Sequence, residues 1–531
     1  MTELPTTAAI KPLDDSIHSI KRSAFRFLSG TALSRMTGMV RDMVLAYAFG
    51  THPALAALFV AFRLSSVCRR LFGEGALQSA FIPYFESLKK ENLQRAYTFF
   101  RDLNCFMGAF LIVFIIASMA LLQGSSWFVS WSSGNSQIVF LTTLLMPTLF
   151  FICLFGLNIS LLQCHKRYFT AGVTPAYFNI SIIIGALWFQ STPAAAAMPS
   201  IAGFLILGCF LQWLASFVPA VNSMKTVVKT GLFHHIRLLS SDVKGLAKPL
   251  FLGMVGAGAS QINNAIDALF ARYADPEGPA QLWYALRLQQ LPLALFGIAL
   301  SGALLPPLSR ALLAGNEKEY KLFLEFSLRR IVALLLPATL GLVVLGFPLI
   351  NLVYGRGDFH LLAIVTTTSC LQGYALALVP TGFVIMLAPA FFAQKDYRTP
   401  ALGAFLALFI NCFLNCVMVF FFHWQAVSIA IATGISAWCN ALYLWRKLNK
   451  NLGPALTQEG GKEVRKTVVI SLIAMATVWV VEPFVAEAPS LLWDQVVAFT
   501  VPAGVFVLVM YVLARLFRAQ DILALVYTTK V

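Results

Sequence analysis

Charge is scarce in this chain. Of its 531 residues only 12% are charged and 59% are hydrophobic, whereas an ordinary soluble domain carries about 25% charge. With a mean hydropathy of +0.77, a soluble globular protein is excluded. Also missing are the alternating segments of about ten residues that a membrane β-barrel repeats. No CxxC spacing occurs among the nine cysteines (68, 105, 153, 164, 209, 370, 412, 416 and 439), and each lies in or beside an apolar run. Structural thiols are therefore expected, without a zinc site or a disulfide framework. His234-His235 is the only histidine pair and sits in a basic loop. A membrane-embedded glycosyltransferase or phosphatase would need a histidine or carboxylate constellation near a membrane face, so no enzyme is expected. The first 23 residues lack the apolar core of a cleavable signal peptide and read as a polar tail.

What is present is a succession of apolar runs, each long enough to cross about 30 Å of hydrocarbon as a helix. They are placed at 24–49, 54–87, 99–122, 137–164, 169–189, 199–224, 246–272, 280–312, 326–353, 361–393, 399–422, 425–445, 466–485 and 493–516. The expected fold is an all-α polytopic membrane protein with fourteen spans. Lysines and arginines mark every second loop and both termini: Lys89-Lys90, His165-Lys166-Arg167, Lys225 to Lys248, Arg310 to Arg330, Lys395 to Arg398 and Arg446 to Lys466. The intervening loops hold only Arg272 and Arg356. By the positive-inside rule both ends are cytoplasmic. The net charge of +16 then belongs to the cytoplasmic lipid face, and no nucleic-acid partner is needed to explain it.

A shift of 224 residues lays VAFRLSSVCRRLFGEGALQSAFIP (60–83) on YALRLQQLPLALFGIALSGALLPP (284–307), matching Arg63 to Arg287 and Gly73 to Gly297. Gln163 and Arg167 echo Gln394 and Arg398. Both echoes link spans six apart, an even number, so the halves share one topology and are related by an axis along the membrane normal. The expected organisation is a tail (1–23), a first lobe (24–224), a basic linker (225–245), a second lobe (246–448), a cytoplasmic loop (449–465), two further spans (466–518) and a C-terminal tail (519–531), with a substrate site between the lobes.

A charge at the centre of a membrane helix costs about 2.5–3.5 kcal/mol on insertion scales, so such residues face a cavity or pair with one another. Span 1 holds Arg35, Arg41 and Asp42 in the run SRMTGMVRDM; span 2 holds Arg63, Arg69, Arg70 and Glu74; Asp267 is in span 7 and Arg287 in span 8. At 100° per residue Arg63, Arg70 and Glu74 share a stripe, as do Arg35 and Asp42. Arg35, roughly 16 Å along its helix at 1.5 Å per residue, is too deep to snorkel; Arg69 and Arg70, near the inner end, read equally as snorkelling residues. Arginines outnumber acids, so the cavity is expected to be cationic and to suit a phosphate, which guanidinium forks bind through paired hydrogen bonds. In the second lobe Asp267, Asn411, Asn415 and Thr433 are oxygen-bearing candidates for a monovalent cation, with interhelical hydrogen bonding as the alternative.

The runs SRMTGMVRDMVLAYAFG and LFVAFRLSSVCRRLFGEGALQSAFIPYF, with SQINNAIDALFA, RLQQLPLALFGIALSGALLPPLS and LAPAFFAQKDYRTP, closely resemble the signature of the MurJ (MviN) family, the proposed lipid II flippases of bacterial peptidoglycan synthesis. The resemblance implies the fold of the multidrug/oligosaccharidyl-lipid/polysaccharide exporters, a bacterial cytoplasmic-membrane location, lipid II and membrane lipids as partners, and cell-wall synthesis proteins as further ones. It implies substrate-binding roles for Arg35, Arg41 and Arg287, the span 2 pair Arg69 and Arg70, and Glu74; Arg63, matched to Arg287 by the repeat, is expected to bind substrate with them, and Asp42 and Gln290 to support the site. No cofactor is implied beyond coupling to Na⁺ or H⁺, and the last two spans would supply a groove for the lipid tail. The chain departs from the family pattern at Ala56, Leu286 and Gln290, where carboxylates are expected. The competing expectations are an exporter of another polyprenyl-linked glycan or of small molecules, and a non-transporting cell-wall scaffold.

Overall fold

The computed structural model describes residues 17–526 apart from 73–75, 129–132, 226, 228–235, 295–307, 309, 312–313 and 482–490. Glu74 and His234-His235 therefore lie outside the described residues, as does the side chain of Arg70. Among the described residues every regular element is helical. The first half contains α1 (Ile17–Phe49), α2 (Pro53–Phe72), α3 (Ala76–Glu91), α4 (Leu93–Phe128), α5 (Ser133–Leu145), α6 (Thr148–Cys164), α7 (Tyr168–Val173), α8 (Pro175–Trp188) and α9 (Ala194–Lys225). The second contains α10 (Ser241–Ala274), α11 (Gly278–Pro292), α12 (Glu317–Val344), α13 (Gly346–Tyr354), α14 (Leu361–Ala375), α15 (Leu378–Ala393), α16 (Arg398–Cys416) and α17 (Val427–Leu452). Then follow α18 (Gln458–Val481), α19 (Leu492–Leu516) and α20 (Gln520–Val526).

Nine helical stretches among the described residues are long and apolar enough to cross a membrane, and the pair α5–α6, bent by 43°, makes a tenth. The four other expected spans, 24–49, 54–87, 246–272 and 280–312, fall on α1, on α2 with α3, on α10 and on α11, each of which contains or adjoins positions whose backbone or side chain lies outside the described residues. These are the helices that carry the charged residues singled out above.

Boundaries moved where local chemistry sets them. The expected span 326–353 is instead α12 followed by a separate α13. α12 starts at Glu317 because the Asn316 side chain accepts a hydrogen bond from the Glu319 N–H at 3.1 Å, an N-cap that satisfies an otherwise orphaned donor. Ser240 caps α10 in the same way through the Val243 N–H. α17 runs on to Leu452 and stops at Gly453, whose φ of +78° is open to glycine without strain.

A single apolar core runs through both halves, from Leu45, Phe59 and Ile201 to Tyr284, Tyr320 and Phe391. A smaller one gathers α18, α19 and α20 around Ile470, Phe506 and Ile522. Large apolar side chains such as Trp188, Leu362 and Phe409 face outward, as they do where the solvent is hydrocarbon. None of the eight described cysteines is joined in a disulfide.

One end of the molecule is held shut between the halves. The Asp358 N–H donates to the Tyr47 carbonyl at 3.0 Å, the Tyr284 hydroxyl to the Gly50 carbonyl at 3.3 Å, and the Thr51 hydroxyl to the Glu277 carboxylate. Gly50 and Gly357 both have positive φ, +53° and +61°. A Cβ on either would collide with a backbone carbonyl of the opposite segment, Asp358 for Gly50 and Tyr47 for Gly357.

Candidate functional site

α1 contains no proline, and Gly30 lets it lie against α7 where a Cβ would approach the Phe169 carbonyl to 2.9 Å. Pressed there, α1 turns one face to α8 and another to a chamber of about 560 Å³ lined by Ser34, Arg35, Gly38, Met39, Arg41, Asp42, Asn179, Arg287, Gln290 and Tyr354, among others. Three guanidiniums and one carboxylate face this space.

Asp42 organises them. It is 2% exposed and accepts hydrogen bonds from Arg41 Nε at 3.0 Å and Nη2 at 2.7 Å. Its other oxygen, Oδ2, lies 3.1 Å from Nε of Arg287, and the Trp283 indole N–H donates to Oδ1, beside Arg41, at 3.3 Å. Arg41 and Asp42 come from α1, Arg287 and Trp283 from α11, so one carboxylate ties the two halves together. Asn179 of α8 fixes the rest of Arg41: its Oδ1 accepts from Nη1 at 3.0 Å, while its amide donates to the Ser34 carbonyl at 3.0 Å and the Thr37 hydroxyl at 3.1 Å. Arg35 lines the same chamber with no ion pair among the described residues.

Of the residues expected at the site, Arg35, Arg41, Asp42, Arg287 and Gln290 come together. Arg63 stands behind the wall, buried, with Nη1 3.4 Å from the Asn264 carbonyl and its guanidinium 5.5 Å from the Trp283 ring. Arg69, half-buried further along α2, does not line the chamber. Asn179, Trp283 and Tyr354 were missed. Asn179 had a signal, a lone amide in the apolar run YFNISIII; Trp283 and Tyr354 had none, because an aromatic ring in an apolar helix reads as core. At the departures, Ala56 is fully buried in the core, Leu286 packs against it, and only Gln290 faces the chamber.

The second-lobe cluster also assembles. Asn411 and Asn415 donate to Oδ1 of Asp267 at 2.6 and 2.8 Å, Asn263 to Oδ2 at 3.1 Å, and the Thr433 hydroxyl lies 3.5 Å from Oδ2. The amide oxygens of Asn411 and Asn415 are buried without a hydrogen-bond partner. These contacts are the interhelical hydrogen bonding expected as the alternative; the carboxylate, the two amide oxygens and the hydroxyl are the hard oxygen donors that could hold a cation if the amides turned. No group of three His, Cys, Asp or Glu that could hold a metal occurs among the described residues.

The family model described as "Lipid II flippase MurJ" matches residues 45–493. The probable lipid II flippase MurJ of Chlamydia trachomatis is 30% identical over 529 residues, covering 96% of this chain and 97% of the relative. That of Vibrio cholerae is 27% identical over 434 residues, covering 79% and 81%. Among solved structures, a lipid II flippase MurJ in an inward closed conformation superposes with a TM-score of 0.74 at 23% identity, over 92% of this chain and 98% of that one. An inward-facing multidrug resistance MATE family transporter of the MOP superfamily gives 0.62 at 15% identity, over 81% of this chain and 98% of that one. A match over most of the chain in both family model and curated relatives places it: the chain belongs to the MurJ family of lipid II flippases.

Proposed function

We propose that this protein flips lipid II, the diphosphate-linked peptidoglycan precursor, from the inner to the outer leaflet of the bacterial cytoplasmic membrane by alternating access. The observation that carries the reading is the chamber itself, in which arginines of both halves converge on Asp42. Moving a disaccharide-peptide head and two phosphates through hydrocarbon unaided is prohibitive; a wet, cationic chamber removes that cost while the tail stays in lipid. Arg35 meets the diphosphate first. The ligand's charge then competes with Asp42 for Arg41 and Arg287, loosening the one carboxylate that links the halves and freeing the lobes, 24–224 and 246–448, to rock about the site. Spans 13 and 14 hold the tail, and both termini are cytoplasmic. With the interior negative, the cationic chamber is drawn back inward once empty, each charge moved fully across being worth about 2.3 kcal/mol per 100 mV. The Asp267, Asn411, Asn415 and Thr433 cluster would hold a coupling Na⁺, or a proton on Asp267, and so add a second driving force. Partners beyond lipid II and membrane lipids would be cell-wall synthesis proteins, and the protein performs no bond-making step of its own.

The test is the appearance of newly made lipid II on the outer leaflet of bacteria depleted of their own flippase. Wild type restores exposure; Arg35→Ala and Arg287→Ala, at matched membrane levels, do not. Full exposure with both variants would overturn the reading. Loss of sodium dependence in Asp267→Asn supports the coupling site, and unchanged sodium dependence removes it.

A further inference from the structure

Four arginines, Arg35, Arg41, Arg63 and Arg287, gather in and behind the chamber, yet Asp42 pairs only Arg41 and Arg287. Like charges gathered in one place repel unless something offsets them. A second carboxylate would do so, but it would also repel an anionic ligand. The structure supplies a different device at Trp283. Its ring stacks on Phe59 of α2, centroids 4.6 Å apart and planes 10° from parallel. The Arg287 guanidinium lies 4.5 Å and that of Arg63 5.5 Å from its centroid, both within the range of cation–π attraction. Its N–H points at Asp42. Trp283 and Arg63 are each 8% exposed, so their contact is largely desolvated, which strengthens the attraction, while the Arg287 side chain, 39% exposed, meets the ring on one side and the chamber on the other.

We propose that Trp283 is a positioning residue for anion recognition: its π-face holds Arg287 and Arg63 in place with no formal negative charge, and its N–H orients Asp42 toward Arg287. Resting on the diphosphate-chamber reading above, the assignment explains how the site keeps its guanidiniums ordered and attractive to phosphate at once. It also accounts for a chamber that works with Leu286 and Gln290 beside Arg287 in place of acids.

The experiment is calorimetric titration of the purified full-length protein in lipid nanodiscs with inorganic diphosphate. Trp283→Leu is expected to weaken binding roughly tenfold, the effect of losing two partly desolvated cation–π contacts. Trp283→Phe, which keeps a ring face, stays within about threefold of wild type. In an Arg287→Ala background Trp283→Leu should add no more than about threefold, because only the Arg63 contact is then left to lose and residues acting through one interaction are not additive. Thermal melting of each variant separates this from a packing role, since a packing defect would lower the melting temperature of Trp283→Leu with and without Arg287. Wild-type affinity in Trp283→Leu, or an undiminished effect in the Arg287→Ala background, overturns the assignment and leaves the chamber standing. Failure of the wild type to bind diphosphate overturns the chamber and the assignment with it.

Discussion

At the scale of single residues the chamber rests on unequal charges. Asp42 is buried and has three donors, whereas Arg35 lines the chamber without an ion pair among the described residues. Breaking a buried pair leaves an uncompensated charge and costs about 3–5 kcal/mol, while removing a solvated guanidinium costs little. Asp42→Asn should therefore lower the melting temperature in detergent markedly, and Arg35→Ala should melt like wild type although both lose transport; equal melting of the two would contradict this. His165, at the end of α6, makes a different prediction. Burial holds its imidazole below the usual histidine pKa, and it sits between the Leu161 carbonyl at Nδ1 and the Tyr97 hydroxyl at Nε2. Because protonation is harder folded than unfolded, its contribution to stability is complete above about pH 6.5 and is lost as pH falls toward the lowered folded value. His165→Gln should flatten that part of the stability profile between pH 7 and 5, read by thermal melting. Arg41, Asp42 and Arg287 were legible in sequence because charge deep in an apolar run has few explanations. Asn179 and Trp283 were not singled out, since their roles depend on which helix faces them.

At the scale of elements, the order of helices was legible from apolar runs and their ends were not. Nothing in hydropathy distinguishes 326–353 from α12 plus α13; the Asn316 cap and the break at Leu345 are local backbone events. The joint between the α1–α2 turn and the segment after α13 was equally hidden, because it is made by two glycines in loops with no apolar signature. Their positive φ values and the absence of a Cβ let the two backbones approach until Asp358 donates to Tyr47. A strained φ of this kind costs a non-glycine residue about 1–3 kcal/mol, and here the collision with the Tyr47 carbonyl adds to it. Gly357→Ala should thus part the segments, speeding hydrogen exchange at the Asp358 amide, while Gly341→Ala, which meets open space, should leave that exchange unchanged. Protection at Asp358 that survives Gly357→Ala would show that the contact does not depend on the missing side chain.

At the scale of the whole molecule, the internal repeat led to the expectation of a substrate site between two halves, and the chamber proposed for that role draws its arginines from α1 and α11. How far that space is shut off on one side was not legible in the apolar pattern. In the structure the Thr51 hydroxyl meets Glu277, and Gly50 meets both Tyr284 and the segment at Asp358. On the proposed orientation this is the outer end, so releasing the lipid head outside requires these contacts to part while the chamber's own walls persist. A tether placed there should separate binding from transport. With the nine native cysteines replaced, Thr51→Cys and Glu277→Cys joined by a short bis-thiosulfonate linker would hold the halves together at this end. Lipid II exposure should fall with the fraction cross-linked and return on reduction, whereas diphosphate affinity should remain within about threefold of the reduced protein, because Arg35, Arg41 and Arg287 lie outside the tethered contact. Each single-cysteine variant treated with the same linker should transport normally, which separates tethering from modification of either side chain. Full transport at complete cross-linking would mean that the halves need not part here and that the head leaves by another route.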